Sequence, residues 1–265
     1  MTSLPTLFIS HGGPDIVLAD TSARHYLEGV SGLISKPKAI VIVSAHFETD
    51  GVAVVTDPKP GMIYDFGGFA PELYRMVYPA AGEPALAEKV YGMLEAAGLK
   101  PHTFEKRGYD HGTWTPLMLA FPDADIPVVQ VSIDPRRDAA WHYAIGKALA
   151  PLREEGILLI GSGHITHNLR AYFTTLRHGA EPDPALAGKV TAFTEWFADK
   201  LGSGDTDALL QWKERAPYPS ENHPTDEHLM PIFFAYGAAG SGAKGRRVHD
   251  SVDHGFFAND SYLFE

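Results

Sequence analysis

The feature that most constrains this chain is a recurrence of short, almost uninterrupted apolar runs rich in β-branched residues: Leu7–Ser10, Ala39–Ala45, Val52–Val55, Ile126–Ile133 and Ile157–Ile160. A strand with one wet face alternates apolar and polar residues. These runs are apolar on both faces and suit central strands covered on each side. Between them lie helical patterns at about Ser22–Ile34, Pro84–Ala97, Ala139–Arg153 and Pro184–Leu201, the last with Val190, Phe193, Trp196 and Phe197 at near-helical spacing. Strands and helices alternating in this way predict an α/β fold: a single domain over residues 1–265 with a mostly parallel or mixed central sheet, flanking helices and right-handed crossovers. No internal repeat or linker-like shift of composition divides the chain. The segment Val248–Glu265, with Gly255, Phe256, Phe257 and Tyr262 in short extended pieces, reads as an edge hairpin or a flap over a site.

Composition removes several classes of function. Acidic residues outnumber basic ones, 33 to 22, for a net charge of −11, the opposite of the clustered Lys and Arg that a nucleic-acid surface needs. No apolar run approaches the roughly 18–20 residues that span a bilayer, and the opening MTSLPTLFISHG has no basic stretch followed by a long apolar one. The expected location is therefore the cytoplasm, with no membrane partner. Zero cysteines exclude disulfides, thiolate metal sites and a cysteine nucleophile. The 13 histidines remain as nitrogen ligands and as proton carriers near neutral pH.

Open α/β sheets bind ligands beyond the carboxyl ends of their strands, where several loops meet. Four histidine-bearing segments have that context. TLFISHGGP places His11 just after the first strand, and IVIVSAHFE places His46 just after the second. ILLIGSGHITHNL places His164 and His167 in a Gly/Ser loop before a helix opening near Asn168, and RGYDHGTWTPL places His111 in a turn before a short helix. Any single loop histidine is ordinarily a surface or capping residue; four at strand ends point to a shared polar pocket. In SENHPTDEHLMP, Thr225 is the expected N-cap with Asp226 and Glu227 in the first helical turn. His228 then emerges near that helix start, and His223 lies in the preceding loop. Their five-residue separation is not the spacing by which one helix face chelates a metal, so different roles are expected.

Three neutral imidazoles from separate loops can hold Fe(II) or Zn(II) and leave positions open, while further histidines move protons. Other templates fail. GSGHI lacks the second glycine of a nucleophile elbow, GSGHIT lacks the third glycine of a dinucleotide fingerprint, and no Walker A sequence is present.

Taken together, SHGGP with His11, VSAHFE with His46, YDFGGFAPELYRMVYPAAG over Tyr64–Gly82, YDHGTWTPL, GSGHITHNL and HPTDEHLMP resemble the class III extradiol ring-cleaving dioxygenases in their DOPA 4,5-dioxygenase branch. The resemblance runs in order from about Leu4 to Gly237. It implies His11, His46 and His228 as metal ligands, His167 as the acid/base beside dioxygen and the substrate hydroxyl, and His111 as a second active-site imidazole that positions the substrate. His164 and His223 match no firm family role; with Tyr64 they are candidate substrate contacts, and Tyr64 and Asp65 lead into a loop suited to walling the pocket. A related subgroup has glutamate as third ligand where this branch has histidine. Three imidazoles suit Zn(II) at least as well as Fe(II), yet zinc cannot pass an electron to dioxygen, so oxygen chemistry calls for Fe(II).

The activity so implied takes a catecholic small molecule and O2, inserts both oxygen atoms and opens the ring beside the diol to a muconic semialdehyde-type product. One alternative is a non-oxidative zinc hydrolase or lyase using the same histidines to activate water; another is a catalytically silent binding protein. The bases Lys106, Arg107, Arg170 and Arg215 read as solvated surface charges. The remaining histidines, His25, His102, His142, His178, His249 and His254, read as ordinary, and a homodimer is left open.

Overall fold

The computed structural model describes residues 3–178 and 184–265, without the side chains of residues 175–178, His178 among them. The apolar runs form strands β1 (Thr6–Ser10), β2 (Ala39–Glu48), β3 (Ala53–Val55), β5 (Val128–Ile133) and β6 (Ile157–Gly163). Added to them are β4 (His102–Phe104), β7 (Gly245–His249), β8 (Val252–Asp253), β9 (Phe257–Ala258) and β10 (Ser261–Phe264). Helices α1 (Ser22–Gly29), α2 (Pro84–Ala96), α3 (His111–Ala120), α4 (Ala139–Leu149), α5 (Leu169–His178) and α6 (Pro184–Ser203) follow in chain order. Three short ones, α7 (Thr206–Leu210), α8 (Trp212–Arg215) and α9 (Pro219–Asn222), lead to α10 (Met230–Ala238).

The main sheet has the order β4-β3-β5-β2-β6-β1-β10-β7. Its centre, β5-β2-β6-β1, is parallel, while β3 joins β5 and β10 joins β1 antiparallel, which makes the sheet mixed. Apolar side chains on both faces of each central strand explain the burial. Val41 and Val43 face a layer that includes Ile145 and Leu149 of α4, Phe193 and Phe197 of α6 and the body of α10. Ile40 and Ile42 face Leu27 of α1 and Trp114 and Leu117 of α3. Each such burial contributes about 1.5–3 kcal/mol, so both layers are needed. α10 is buried on every side and crosses α4 at glycine notches: a Cβ on Gly146 would stand 2.1 Å from the Phe234 carbonyl oxygen.

Several boundaries differ from expectation for local reasons. The α4 pattern stops at Leu149 and tightens into a 3-10 turn over Ala150–Glu155, because Pro151 offers no N–H to continue the helix. α1 likewise ends at Gly29 in a 3-10 turn. β2 and β6 extend beyond their apolar runs, so His46 lies within β2 and Gly161–Gly163 within β6 rather than in loops. The C-terminal segment is extended and supplies the sheet edge, as one of the two expectations had it. β7 and β10 pair at one side of the sheet, β7 as its edge and β10 inside, and β8 and β9 form a separate small hairpin. No helix of the described residues is long and apolar enough to cross a membrane.

Candidate metal centre

His11 follows the last residue of β1, and its N–H continues the ladder to the Gly163 carbonyl of β6. Gly12 then turns the chain at φ +68°, a conformation that favours glycine. His46 is presented differently. The β2–β5 register runs Val43 with Val131 and next Glu48 with Ile133, so β2 carries three extra residues around His46 and bulges. The His46 carbonyl in that gap accepts from Arg107, whose guanidinium also donates to Gln130 and to Asp110. Arg107 is therefore a half-buried tie across the bulge, not the solvated charge expected. Lys106, paired with Asp57 and mostly exposed, fits the expectation.

His111 is the first residue of α3, capped by Asp110, whose carboxylate accepts from the Thr113 N–H and from the Ser44 hydroxyl. His164 leaves the end of β6 with its N–H on the His228 carbonyl, and the His167 N–H donates to the Asn222 carbonyl. Asn168 caps α5. His228 does not sit in a helix opened by Thr225: α10 begins at Met230, because Pro231 fits only its first turn. The turn carrying His228 lies directly on β6. A Cβ on Gly163 would stand 2.1 Å from the His228 carbonyl oxygen and one on Gly161 2.0 Å from that of Pro231, which explains the glycines of GSG as room for this turn.

These elements bring three imidazoles to one point. His46 Nε2 lies 3.1 Å from His11 Nε2 and 3.2 Å from His228 Nε2. The partners of their Nδ1 atoms assign the tautomers. His11 Nδ1 is 3.0 Å from the Ser162 hydroxyl oxygen, whose own proton goes to the Gly112 carbonyl, so that oxygen accepts and Nδ1 carries the hydrogen. His228 Nδ1 stands 3.0 Å from Glu227 and His46 Nδ1 3.4 Å from Asp65, both acceptor-only carboxylates. Burial first, then neighbouring imidazoles, hold His11 and His228 far below the usual histidine range and His46 at about 4, so all three are neutral. Three Nε2 lone pairs thus face one another without a proton between them, an arrangement that is repulsive until a cation fills it. Nitrogens about 2.1 Å from one ion at facial angles stand roughly 3.0–3.4 Å apart, so the donor set fits a divalent metal.

Two more imidazoles lie against this triad. The His167 ring stacks on His228 with centroids 3.5 Å apart and planes 15° from parallel, and its Nδ1 is 3.8 Å from the same Glu227 oxygen that His228 uses. The ring of His111 is 3.9 Å from that of His46, with Nδ1 2.9 Å from Asp65. Burial, reinforced by His164, presses His167 down to about 2. For Asp65 burial alone would raise the carboxyl, but its contacts with His111 and His46 outweigh it and hold the group at about 2. Phe66 packs edge-on to His111, and Phe257 of β9 lies 5.8 Å from His164 and 6.2 Å from His167, so aromatic rings stand on two sides.

The three substrate candidates separate. His164 is buried 6.3 Å from the His11 ring, with an unpartnered Nδ1, and belongs to the cluster. His223 turns away from it: Nε2 donates to the Ile165 carbonyl and the ring packs on Phe193 and Trp212, which anchors the turn leading to His167. Tyr64 spends its hydroxyl on the Met76 carbonyl and its ring on Phe66, Tyr74 and Trp114. Two carboxylates received too small a role from sequence. Asp65 appeared only as a wall residue and Glu227 only as a helix-dipole residue; the adjacency of Glu227 to His228 was the one available signal.

Comparison with known proteins agrees with the geometry. The family described as the catalytic LigB subunit of aromatic ring-opening dioxygenase matches residues 6–264. A 4,5-DOPA dioxygenase extradiol of Beta vulgaris is 40% identical over 264 residues, 98% of this chain and 96% of that protein. One of the same description from Escherichia coli (strain K12) is 40% identical over 242 residues, 89% of this chain and 86% of that protein. The crystal structure of the uncharacterised protein JW3007 from Escherichia coli K12 superposes with a TM-score of 0.79 at 33% identity, covering 98% of this chain and 99% of that one. A triad of neutral imidazoles flanked by two more, on a fold and sequence shared along nearly the whole chain, places this protein in the LigB family of aromatic ring-opening dioxygenases, as an extradiol ring-cleaving enzyme.

Proposed function

We propose that the protein opens the ring of a DOPA-like catechol, with Fe(II) held by His11, His46 and His228. The observation that carries this reading is the meeting of three unprotonated Nε2 atoms beside two further imidazoles. Bound Fe(II) would supply the redox-active centre for dioxygen chemistry, which Zn(II) in the same site could not.

The protein's own groups handle protons and orientation. His167, neutral and half-buried against His228, is the group placed to accept a catechol hydroxyl proton at Nε2 and to return it when the ring opens. His111, tethered by Asp65, donates or accepts at its remaining nitrogen and so orients the diol. His164 contributes a further polar contact from the inner wall. Phe66 and Phe257 offer apolar faces for an aromatic ring and restrict water. His223 and Tyr64 support this pocket from behind.

Anaerobic loading with Fe(II), followed by oxygen and a panel of catechols that includes DOPA, tests the reading. The expected result is oxygen uptake and a yellow ring-opened product. Iron that binds while no catechol yields colour or consumes oxygen would refute it. Turnover under argon with Zn(II) alone would establish the hydrolase or lyase alternative instead.

A further inference from the structure

Asp65 and Glu227 both bridge one imidazole of the triad and one outside it, but they do so with different atoms. Asp65 uses both oxygens: Oδ1 is 2.9 Å from His111 Nδ1, and Oδ2 is 3.4 Å from His46 Nδ1. Oδ1 also accepts the His111 backbone N–H at 3.0 Å. Glu227 uses Oε1 alone, at 3.0 Å from His228 Nδ1 and 3.8 Å from His167 Nδ1, and the same oxygen accepts the Thr225 hydroxyl. We propose that Asp65 is a positioning residue that sets the tautomer of His46 with one oxygen while the other holds the first residue of α3, and that this double duty requires a carboxylate at residue 65, whereas residue 227 accepts an amide.

The reason is a count of acceptors. A carboxylate presents two accepting oxygens; a carboxamide presents one oxygen and one donating NH2. At residue 65 the amide oxygen is claimed by the His111 backbone N–H, so the NH2 meets His46 Nδ1. Two donors cannot face each other. The His46 proton must then move to Nε2, which removes the lone pair aimed at the other two ligand nitrogens. At residue 227 the amide oxygen replaces Oε1 and keeps every contact made there. Asp65 is also held firmly enough to enforce the choice: its segment runs beside the residues before α3, with the Ile63 N–H on the Tyr109 carbonyl and the Tyr109 N–H on the Gly61 carbonyl, both at 2.8 Å.

This inference rests on the metal reading above, and the test separates the two. Metal-free protein with 15N-labelled histidine is examined by long-range 1H–15N NMR for the proton-bearing nitrogen of each ring, and Zn(II), as a redox-inert probe, is titrated against a chromophoric chelator. In Asp65→Asn, His46 is expected as the Nε2–H tautomer and Zn(II) affinity to fall ten- to hundredfold, the usual range for a lost partner of a ligand histidine. Glu227→Gln should keep the Nδ1–H form of His228 and lose at least fivefold less affinity than Asp65→Asn. Asp65→Ala, which leaves water to accept from the His46 ring, should bind no worse than Asp65→Asn. An unchanged His46 tautomer in Asp65→Asn, or equal losses in Asp65→Asn and Glu227→Gln, overturns the assignment. Native protein that fails to bind Zn(II) refutes the metal centre, and the tautomer readout still decides the role of Asp65.

Discussion

Replacing Gly112 by alanine sets two opposing effects against each other within α3. Alanine in place of glycine in a helix is worth about 1 kcal/mol in stability. The added Cβ, however, would stand 2.5 Å from Ser44 Oγ, 2.9 Å from His46 Cδ2 and 3.2 Å from His11 Cε1. Carbon atoms settle at about 3.5–4.0 Å, so the His46 ring must retreat by roughly 0.6–1 Å and the His11 ring by somewhat less. Ser44 cannot swing clear, because its hydroxyl donates to the Asp110 carboxylate that caps α3 and binds Arg107. Overpacking of this kind costs about 1–3 kcal/mol, which leaves a net loss of about 0–2 kcal/mol and a fall in melting temperature of several degrees at most. The fold survives; the centre does not keep its geometry, since metal–ligand distances tolerate only about 0.2 Å. Gly112→Ala is therefore expected to melt cooperatively near the native temperature while binding Zn(II) or Fe(II) at least tenfold more weakly and turning over catechol about a hundredfold more slowly. Thermal melting, chelator competition and oxygen uptake measure the three quantities. Gly92→Ala on α2, where a Cβ would meet nothing within 4 Å, is the control that gains stability without touching the metal. Native affinity and rate in Gly112→Ala would refute the placement of the triad against α3.

His167→Ala is expected to retain metal and lose turnover by about 10²–10⁴-fold, whereas His46→Ala loses the metal; near-native turnover in His167→Ala would remove its acid/base role. Gly146→Ala should destabilise the protein by more than 3 kcal/mol, because its Cβ would fall 2.1 Å from the Phe234 carbonyl oxygen and 2.6 Å from the Ala238 nitrogen and force α4 off α10; a change below 1 kcal/mol by denaturant titration would contradict that crossing. His142 is held at about 4, by burial first, so the folded form stays neutral while the unfolded chain takes up a proton below about 6.5. Its contribution is intact above pH 6.5 and is lost as pH falls toward 4, about 3 kcal/mol in all. His142→Gln should flatten stability against pH across that window by one proton, and an unchanged slope would show that the ring is accessible to acid when folded.

The layers of this fold were legible because burial on both faces leaves a local mark: a run such as IVIV puts successive side chains on opposite faces, and both must be apolar. Strand ends were less legible. The bulge in β2 depends on its pairing with β5, and pairing between residues nearly ninety apart has no local signature. The same limit hid the partner of β10, three of whose residues pair with β1 at the other end of the chain. Site residues divide along similar lines. Histidine is rare, and its placement after apolar runs marked His11, His46 and His167, while His111 and His228 stood out near expected helix starts. Aspartate and glutamate are common on surfaces, so nothing in sequence separated Asp65 and Glu227 from solvated acids, or Arg107 from solvated bases.

What this chain determines by itself is the α/β class, the neutral-nitrogen character of any metal site in a cysteine-free protein, and the set of histidines available to build it. Tertiary structure alone decided which nitrogen of each ring is free, because a tautomer is set by the partner across the fold: Ser162 for His11, Asp65 for His46, and, through a turn pressed onto the glycines of β6, Glu227 for His228. It likewise decided that His223 braces the pocket from behind while His164 lines it, a difference made by where two neighbouring turns pack and invisible in residue type.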